Sequence, residues 1–115
     1  MKNFKNLIVW QKSMELVKNI YDITISFPNS EIYGLTSQIR RFAISISTNI
    51  AEGAGRSKKE MSHFLSIAIG SSFELETQLI LSKDINYINE ELFAQTNSIL
   101  DEVQKMLFGL QKSLK

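Results

Sequence analysis

Hydrophobic residues recur at steps of three and four in four stretches of similar length, separated by short polar or glycine- and proline-bearing breaks. That spacing is the signature of one face of an α-helix. The first stretch runs from about Leu7 to Ser26, with Leu7, Trp10, Met14, Val17, Tyr21 and Thr24 predicted to line its inner face. Phe27-Pro28-Asn29 ends it, since proline disfavours helix in the residue before it. The second runs from about Gly34 to Ala54, with Leu35, Ile39, Phe42, Ala43, Ile46, Ile50 and Gly53 on one face, and Gly53-Ala54-Gly55 stops it. Ser57-Lys58-Lys59-Glu60 then reads as a capping box, in which the serine hydroxyl and the glutamate satisfy orphan N–H groups at a new helix start. The third helix continues to about Ser82, presenting Met61, Phe64, Leu65, Ala68, Leu75 and Leu79 to the core. Asn86 and Asn89 bracket a short connection, and Asn89 caps a fourth helix bearing Leu92, Ile99, Val103, Met106, Leu110 and Leu114.

One segment, Ala43-Ile44-Ser45-Ile46-Ser47, alternates apolar and polar as a half-buried strand would. Helix is the better reading, because a lone strand has no partner elsewhere in the chain and the flanking positions keep the 3.6-residue period. Each stretch is about 20 to 25 residues, on the order of 30 to 37 Å at the helical rise. Four matched rods with tight turns predict an all-α, antiparallel, up-down-up-down four-helix bundle, with residues 1–115 as one domain.

Two apolar features are left over. On the third helix Ile69, Phe73 and Ile80 form a second stripe well round from the core face, which a helix wet on its outer side would not carry. On the second helix Ile44, Ser47 and Ala51, with Ser45 and Thr48 further round, are small or apolar and allow another helix close approach. Together they predict a homo-oligomer of closed symmetry held by helices two and three. The competing reading is a broad intramolecular core with single apolar residues scattered on the surface.

Thirteen basic and twelve acidic side chains leave a net charge of +1, so total charge gives no reason to expect a polyanionic partner, and local clustering must carry any such claim. Residues 40 to 59 hold Arg40, Arg41, Arg56, Lys58 and Lys59 against one acid, Glu52. Lys58 and Lys59 sit where the helix macrodipole is positive, so an anion held by Arg56, Lys58, Lys59 and free backbone N–H groups would relieve them. Repeated around a ring, the same excess would bind RNA or DNA with strong salt dependence. Against this, Glu60 and solvent can offset the lysines, and Arg40 or Arg41 can pair with a half-buried Glu76.

The chemistry of catalysis is poorly represented. Glu60-Met61-Ser62-His63 matches the Glu-x-x-His element of di-iron bundles, but His63 is the single histidine and such sites need two of these elements. Gly53-Ala54-Gly55-Arg56-Ser57 lacks a Walker lysine in register and follows no strand. Asn49 and Glu52 lie a turn apart, and Glu74 and Glu76 point about 160° apart on a helix, so no nucleophile, base and orienting group assemble. No enzyme activity, metal or cofactor is expected. The chain has no cysteine, which suits a reducing cytoplasm, and the apolar run Leu7 to Trp10 is too short for a signal peptide or a membrane span.

Several segments in sequence order resemble the bacterial four-helix bundle proteins also called 23S rRNA intervening-sequence proteins, or the S23 family. They are Phe4 to Lys12, Tyr33 to Arg41, Ser45 to Gly53, Gly55 to Glu60, and Glu74-Leu75-Glu76-Thr77-Gln78-Leu79; helix four matches in pattern alone. The resemblance implies an antiparallel bundle assembled as a ring-like homopentamer, with genes in some bacteria lying inside insertions in 23S ribosomal RNA genes, and it does not imply a ribosomal role. A related branch is similar to the accessory protein of diversity-generating retroelements, which joins a reverse transcriptase and binds nucleic acid through a basic surface. By position, that points to Arg40, Arg41, Arg56, Lys58 and Lys59. Relatives often have proline where this chain has Ser47, so the resemblance implies a weaker kink in helix two here. The alternative is a structural scaffold or adaptor whose partner is another protein.

Overall fold

A computed structural model describes residues 3–115. Four α-helices follow one another: α1 (Ile8–Thr24), α2 (Leu35–Gly53), α3 (Lys58–Asp84) and α4 (Glu90–Ser113). Each packs on its sequence neighbour, and α4 closes back on α1, giving a four-helix bundle of 42 × 24 × 20 Å. The alternating segment Ala43–Ser47 lies inside α2, which runs helical from end to end.

The helix ends follow local chemistry. Before α1, a short 3-10 turn (Phe4–Asn6) is capped by Asn3, whose Oδ1 accepts the Lys5 N–H at 3.0 Å. Gly55 takes φ 83°, a left-handed conformation that costs glycine nothing, and lets the chain turn sharply from α2 to α3. Gly53 is needed for space: a Cβ there would lie 3.0 Å from the Phe64 Cβ on α3. The expected capping box forms, with Ser57 Oγ accepting the Glu60 N–H at 3.2 Å and donating its own proton to Glu60 Oε1 at 2.9 Å. After α3, Asn86 at φ 66° allows Tyr87 N–H to reach Ser82 C=O at 2.8 Å and Asn86 N–H to reach Lys83 C=O at 3.0 Å. These two bonds make a Schellman ending. Asn89 Oδ1 then accepts the Leu92 N–H at 2.8 Å and starts α4.

Most of the core expected of the two middle helices is buried, namely Ile39, Ala43, Ile46 and Ile50 of α2 and Met61, Leu65, Ala68, Leu75 and Leu79 of α3, whereas Leu35, Phe42 and Phe64, expected with them, are half-buried. The outer two helices differ from the sequence-based expectation. On α1 the buried face is Val9, Ser13, Leu16, Ile20, Ile23 and Thr24, while Trp10, Met14 and Val17 are half-buried and Tyr21 is exposed. On α4 it is Thr96, Leu100, Val103 and Leu107, with Ile99, Met106, Leu110 and Leu114 packed at its margin and Leu92 exposed. Thr24 and Val103 are buried as expected, but the rest of each stripe is displaced by about one residue, because each helix is apolar round more than one face, and on α1 the bulkier side chains sit on the outer one.

Several polar side chains are paired across helices, although Gln78 Oε1 is buried without a partner among the described residues. Ser13 and Ser47 hydroxyls meet at 2.9 Å between α1 and α2, and Ser45 and Ser71 meet at 2.8 Å between α2 and α3. Thr96 of α4 donates to Asn19 of α1, and Lys12 of α1 lies 2.8 Å from Glu102 of α4. α3 is long and apolar enough to cross a bilayer by length and composition, but it is a core helix here, its Leu65, Ala68, Leu75 and Leu79 having no solvent exposure.

Candidate interfaces and basic surface

The bulky side chains displaced from the α1 core build a groove. Trp10, Met14 and Val17 of α1 face Ile44, Ser47, Thr48 and Ala51 of α2 across a mainly apolar hollow of about 720 Å³. Phe4 closes one end, its ring held edge-on to Trp10 at 5.2 Å. The small side chains of Ser47 and Ala51 are what leave the space. Toward the other end of the helices, Ile44 is shared with a second hollow of about 360 Å³ that also takes in Tyr21, Ile32, Thr36, Ser37, Arg40 and Arg41. The two form one trough along the α1–α2 seam.

Of the expected interface residues, Ile44, Ser47 and Ala51 are therefore together, on the trough. Ser47 is itself buried in the seam and presents little surface. Ile69, Phe73 and Ile80 do not join them. Ile69 is buried in its own chain's core, because the α3 face toward α4 includes it. Phe73 and Ile80 stay exposed, at 48% and 41%, and Phe73 lies 6.2 Å from the ring of Phe108 on α4, which is equally bare. The leftover apolar surface is thus two faces: a hollow on the α1–α2 side and a ridge on the α3–α4 side. Trp10, Met14, Val17, Tyr21 and Phe108 belong to these faces and were missed in the sequence, although the double apolar stripe of α1 was there to be seen.

The basic residues also divide into two groups. Arg56, Lys58 and Lys59 cluster at the α2–α3 turn, whereas Arg40 and Arg41 lie on the order of 20 Å away along the bundle, as the helical rise from them to the end of α2 requires. Arg56 is already engaged: its Nη2 is 3.3 Å from Glu52 Oε2, its Nη1 3.6 Å from Glu60 Oε2, its Nε donates to the Glu52 carbonyl, and the guanidinium lies over Phe64. The Ser57 hydroxyl, then the Ser57 backbone N–H and the Arg56 guanidinium, hold the Glu60 carboxyl below its ordinary range. Lys58 and Lys59 are exposed, with no carboxylate within 4.0 Å among the described residues.

Arg40 does not pair with Glu76. It donates from Nε to Thr24 Oγ1 at 2.9 Å and stacks its guanidinium 4.5 Å from the Tyr21 ring centre. Thr24 can accept because its own proton goes to the Ile20 carbonyl at 2.7 Å. Glu76 instead accepts from Gln104 Nε2 at 3.1 Å, since its angle on α3 carries it toward α4 and away from α2. Arg41 is exposed beside Arg40, and among the described residues neither has a carboxylate within 4.0 Å. His63 is exposed beside Phe64, and among the described residues no three His, Cys, Asp or Glu side chains group as metal ligands would.

The fold has a counterpart in a crystal structure of a protein of unknown function from the S23 ribosomal protein family of Bacteroides thetaiotaomicron VPI-5482. It superposes with a TM-score of 0.81 at 28% identity, over 91% of this chain and 99% of that one. No curated protein matches the chain. The pattern of the family described as 23S rRNA-intervening sequence protein matches residues 5–109, nearly the whole length, and the chain belongs to that family.

Proposed function

We propose that this protein is a non-enzymatic, self-assembling bundle whose copies cover one another's apolar faces in a ring-like homo-oligomer, the homopentamer that the family resemblance implies. The observation that carries this reading is the pairing of an apolar trough, with Ile44 41% exposed, with a separate ridge whose Phe73 and Phe108 are about half bare. Surface of that kind on two sides of so small a bundle is what interfaces bury. Light scattering on the purified chain at micromolar concentration is expected to give the mass of a homopentamer. A monomer at that concentration overturns the reading.

A second reading concerns RNA or DNA. Its support is narrower than the sequence suggested, because Arg56 is neutralised by Glu52 and Glu60 and Arg40 is held by Thr24 and Tyr21, leaving Lys58, Lys59 and Arg41 as the free candidates among the five. Repeated around a ring, those side chains would form a basic band, with affinity falling steeply as salt rises. Fluorescence anisotropy with short single- and double-stranded RNA and DNA tests it. Binding at low salt that is abolished by reversing Arg56, Lys58 and Lys59 supports the band. No binding even at low salt leaves the adaptor reading, in which the ring's partner is another protein such as the reverse transcriptase of the retroelement branch.

A further inference from the structure

Charge is spread unevenly along the bundle axis. The helices alternate in direction: Ser13 meets Ser47 and Thr24 meets Arg40, while Ser62 meets Gln111 and Ser72 meets Gln104. One end of the bundle therefore gathers the start of α1, the α2–α3 turn and the end of α4. The terminal turns and connections there, residues 3–11, 50–61 and 110–115, hold six basic side chains, Lys5, Arg56, Lys58, Lys59, Lys112 and Lys115, and two acids, Glu52 and Glu60. The same parts of the opposite end, residues 21–38 and 81–93, hold five acids, Asp22, Glu31, Asp84, Glu90 and Glu91, against Lys83 alone. Arg40 and Arg41 lie just inside that acidic end.

Packing brings three sequence-distant segments together at the basic end. Phe4 lines the same hollow as Ala54, Gly55 and Arg56, which sets Lys5 beside the α2–α3 turn. Gln111 Nε2 donates to the Ser62 carbonyl at 2.9 Å and to Ser66 Oγ at 2.8 Å, which holds the last turns of α4, with Lys112, against the first turns of α3. Both acids of this end are taken by one arginine, Arg56. Lys5, Lys58, Lys59 and Lys112 are exposed, with no carboxylate within 4.0 Å among the described residues. Four uncompensated ammonium groups on a cross-section of 24 × 20 Å repel one another, and a row of phosphates relieves them. A duplex laid across that section offers about seven phosphates per strand, at roughly 3.4 Å each.

Anionic lipid is the other polyanion of that breadth, and binding to it is strengthened by apolar side chains that enter the headgroup region. Among the described residues the basic end bares one large apolar side chain, Ile8, whereas Ile25, Ile32, Tyr33, Leu81 and Ile85 are bare at the acidic end. The charge and the grease are thus at opposite ends, which suits a nucleic-acid backbone and not a bilayer.

Resting on the nucleic-acid reading above, but on no particular subunit number, we propose that RNA or DNA is bound end-on: its phosphates lie across the end of the bundle on Lys5, Lys58, Lys59 and Lys112, and Arg40 and Arg41 take no part.

Fluorescence anisotropy of the whole chain with labelled single- and double-stranded RNA and DNA, read across a salt series, tests this. The key variant is Lys5→Gln with Lys112→Gln, both far in sequence from the α2–α3 turn, and the comparison is Arg41→Gln. These three side chains are exposed and make no hydrogen bond or ion pair among the described residues, so each variant is expected to keep the wild-type circular dichroism. The lysine pair is expected to weaken binding at least about tenfold and to flatten the slope of log K against log salt by about 1.8 for duplex DNA or about 1.4 for a single strand. Arg41→Gln is expected to bind like wild type. A lysine pair that binds like wild type, or an Arg41 variant weakened as much as the pair, overturns the end-on surface while leaving the nucleic-acid reading standing. A wild type that binds no nucleic acid even at low salt overturns both, and its binding to phosphatidylserine vesicles but not to phosphatidylcholine ones would then assign the basic end to a membrane.

Discussion

Ser13 Oγ lies 2.9 Å from Ser47 Oγ in the seam between α1 and α2, at a point where both side chains are buried. The proton of Ser13 goes to the Trp10 carbonyl at 2.7 Å, so Ser47 is the donor of the pair. Ser47→Ala removes that bond but leaves Ser13 satisfied, and is expected to cost about 1 kcal/mol in urea denaturation at fixed protein concentration. Ser47→Pro deletes a backbone donor in the middle of α2 and forces a kink, and is expected to cost about 3 kcal/mol or more. Equal losses in the two variants would mean that α2 bends at this position as readily as it stays straight.

Leu16 and Met14 separate the two faces of α1. Leu16 has no solvent exposure, and Leu16→Ala should destabilise the chain by about 2 to 5 kcal/mol through the cavity it leaves. Met14 is half-buried on the trough wall, so Met14→Ala should cost clearly less in a denaturation curve. Similar midpoints for both variants would show that the trough wall is as much core as the buried face.

That contrast explains how much could be read from the chain. On α2 the core stripe was legible because Ser45 and Asn49 border it, whereas on α3 a second apolar stripe adjoins the core and Ile69 of that stripe is buried. On α1 the apolar residues cover two adjoining faces, and periodicity cannot say which of two parallel stripes turns inward. The aromatic and sulfur side chains of Trp10, Met14 and Tyr21 drew the choice outward. The neutralisation of Arg56 was within reach, since Glu52 and Glu60 lie four residues to either side of it. The hold on Arg40 was not, because Thr24 and Tyr21 meet it only through the packing of α1 on α2.

The helix caps fix two pH dependences of opposite sign. Glu60 is held below 4.5, first by the Ser57 hydroxyl, so its contribution to stability is present above 4.5 and is lost as pH falls through its folded value. An NMR titration should place the Glu60 midpoint below 4.5 and move it upward in Ser57→Ala; no movement would mean that the hydroxyl is not what holds it. Tyr87 donates to Glu31 Oε2 at 2.8 Å, and that bond, more than burial, raises its phenol above 10.0. Its contribution is present below 10.0 and is lost as pH rises through the folded value. In an ultraviolet titration Tyr87→Phe should delete an ionisation step above 10.0, and Glu31→Gln should lower that step toward 10.0.

Asn86 fixes how α4 departs from α3. At φ 66° it sits where a Cβ clashes with the backbone, and its left-handed geometry is what lets Tyr87 N–H reach Ser82 C=O. The same turn delivers the Tyr87 hydroxyl to Glu31, whose other oxygen accepts the Leu35 N–H at 3.2 Å and so caps α2. One residue's backbone conformation therefore supports two helix ends. Asn86→Gly keeps the conformation at no steric cost and should be neutral or slightly stabilising. Asn86→Val opposes it and should cost about 1 to 2 kcal/mol. Because the turn also aims Tyr87, the valine variant should lose the raised tyrosine step in the ultraviolet titration, and the glycine variant should keep it. A valine variant with normal stability and an intact tyrosine step would show that α4 is placed by its core contacts with Leu100, Val103 and Leu107, not by the turn that precedes it.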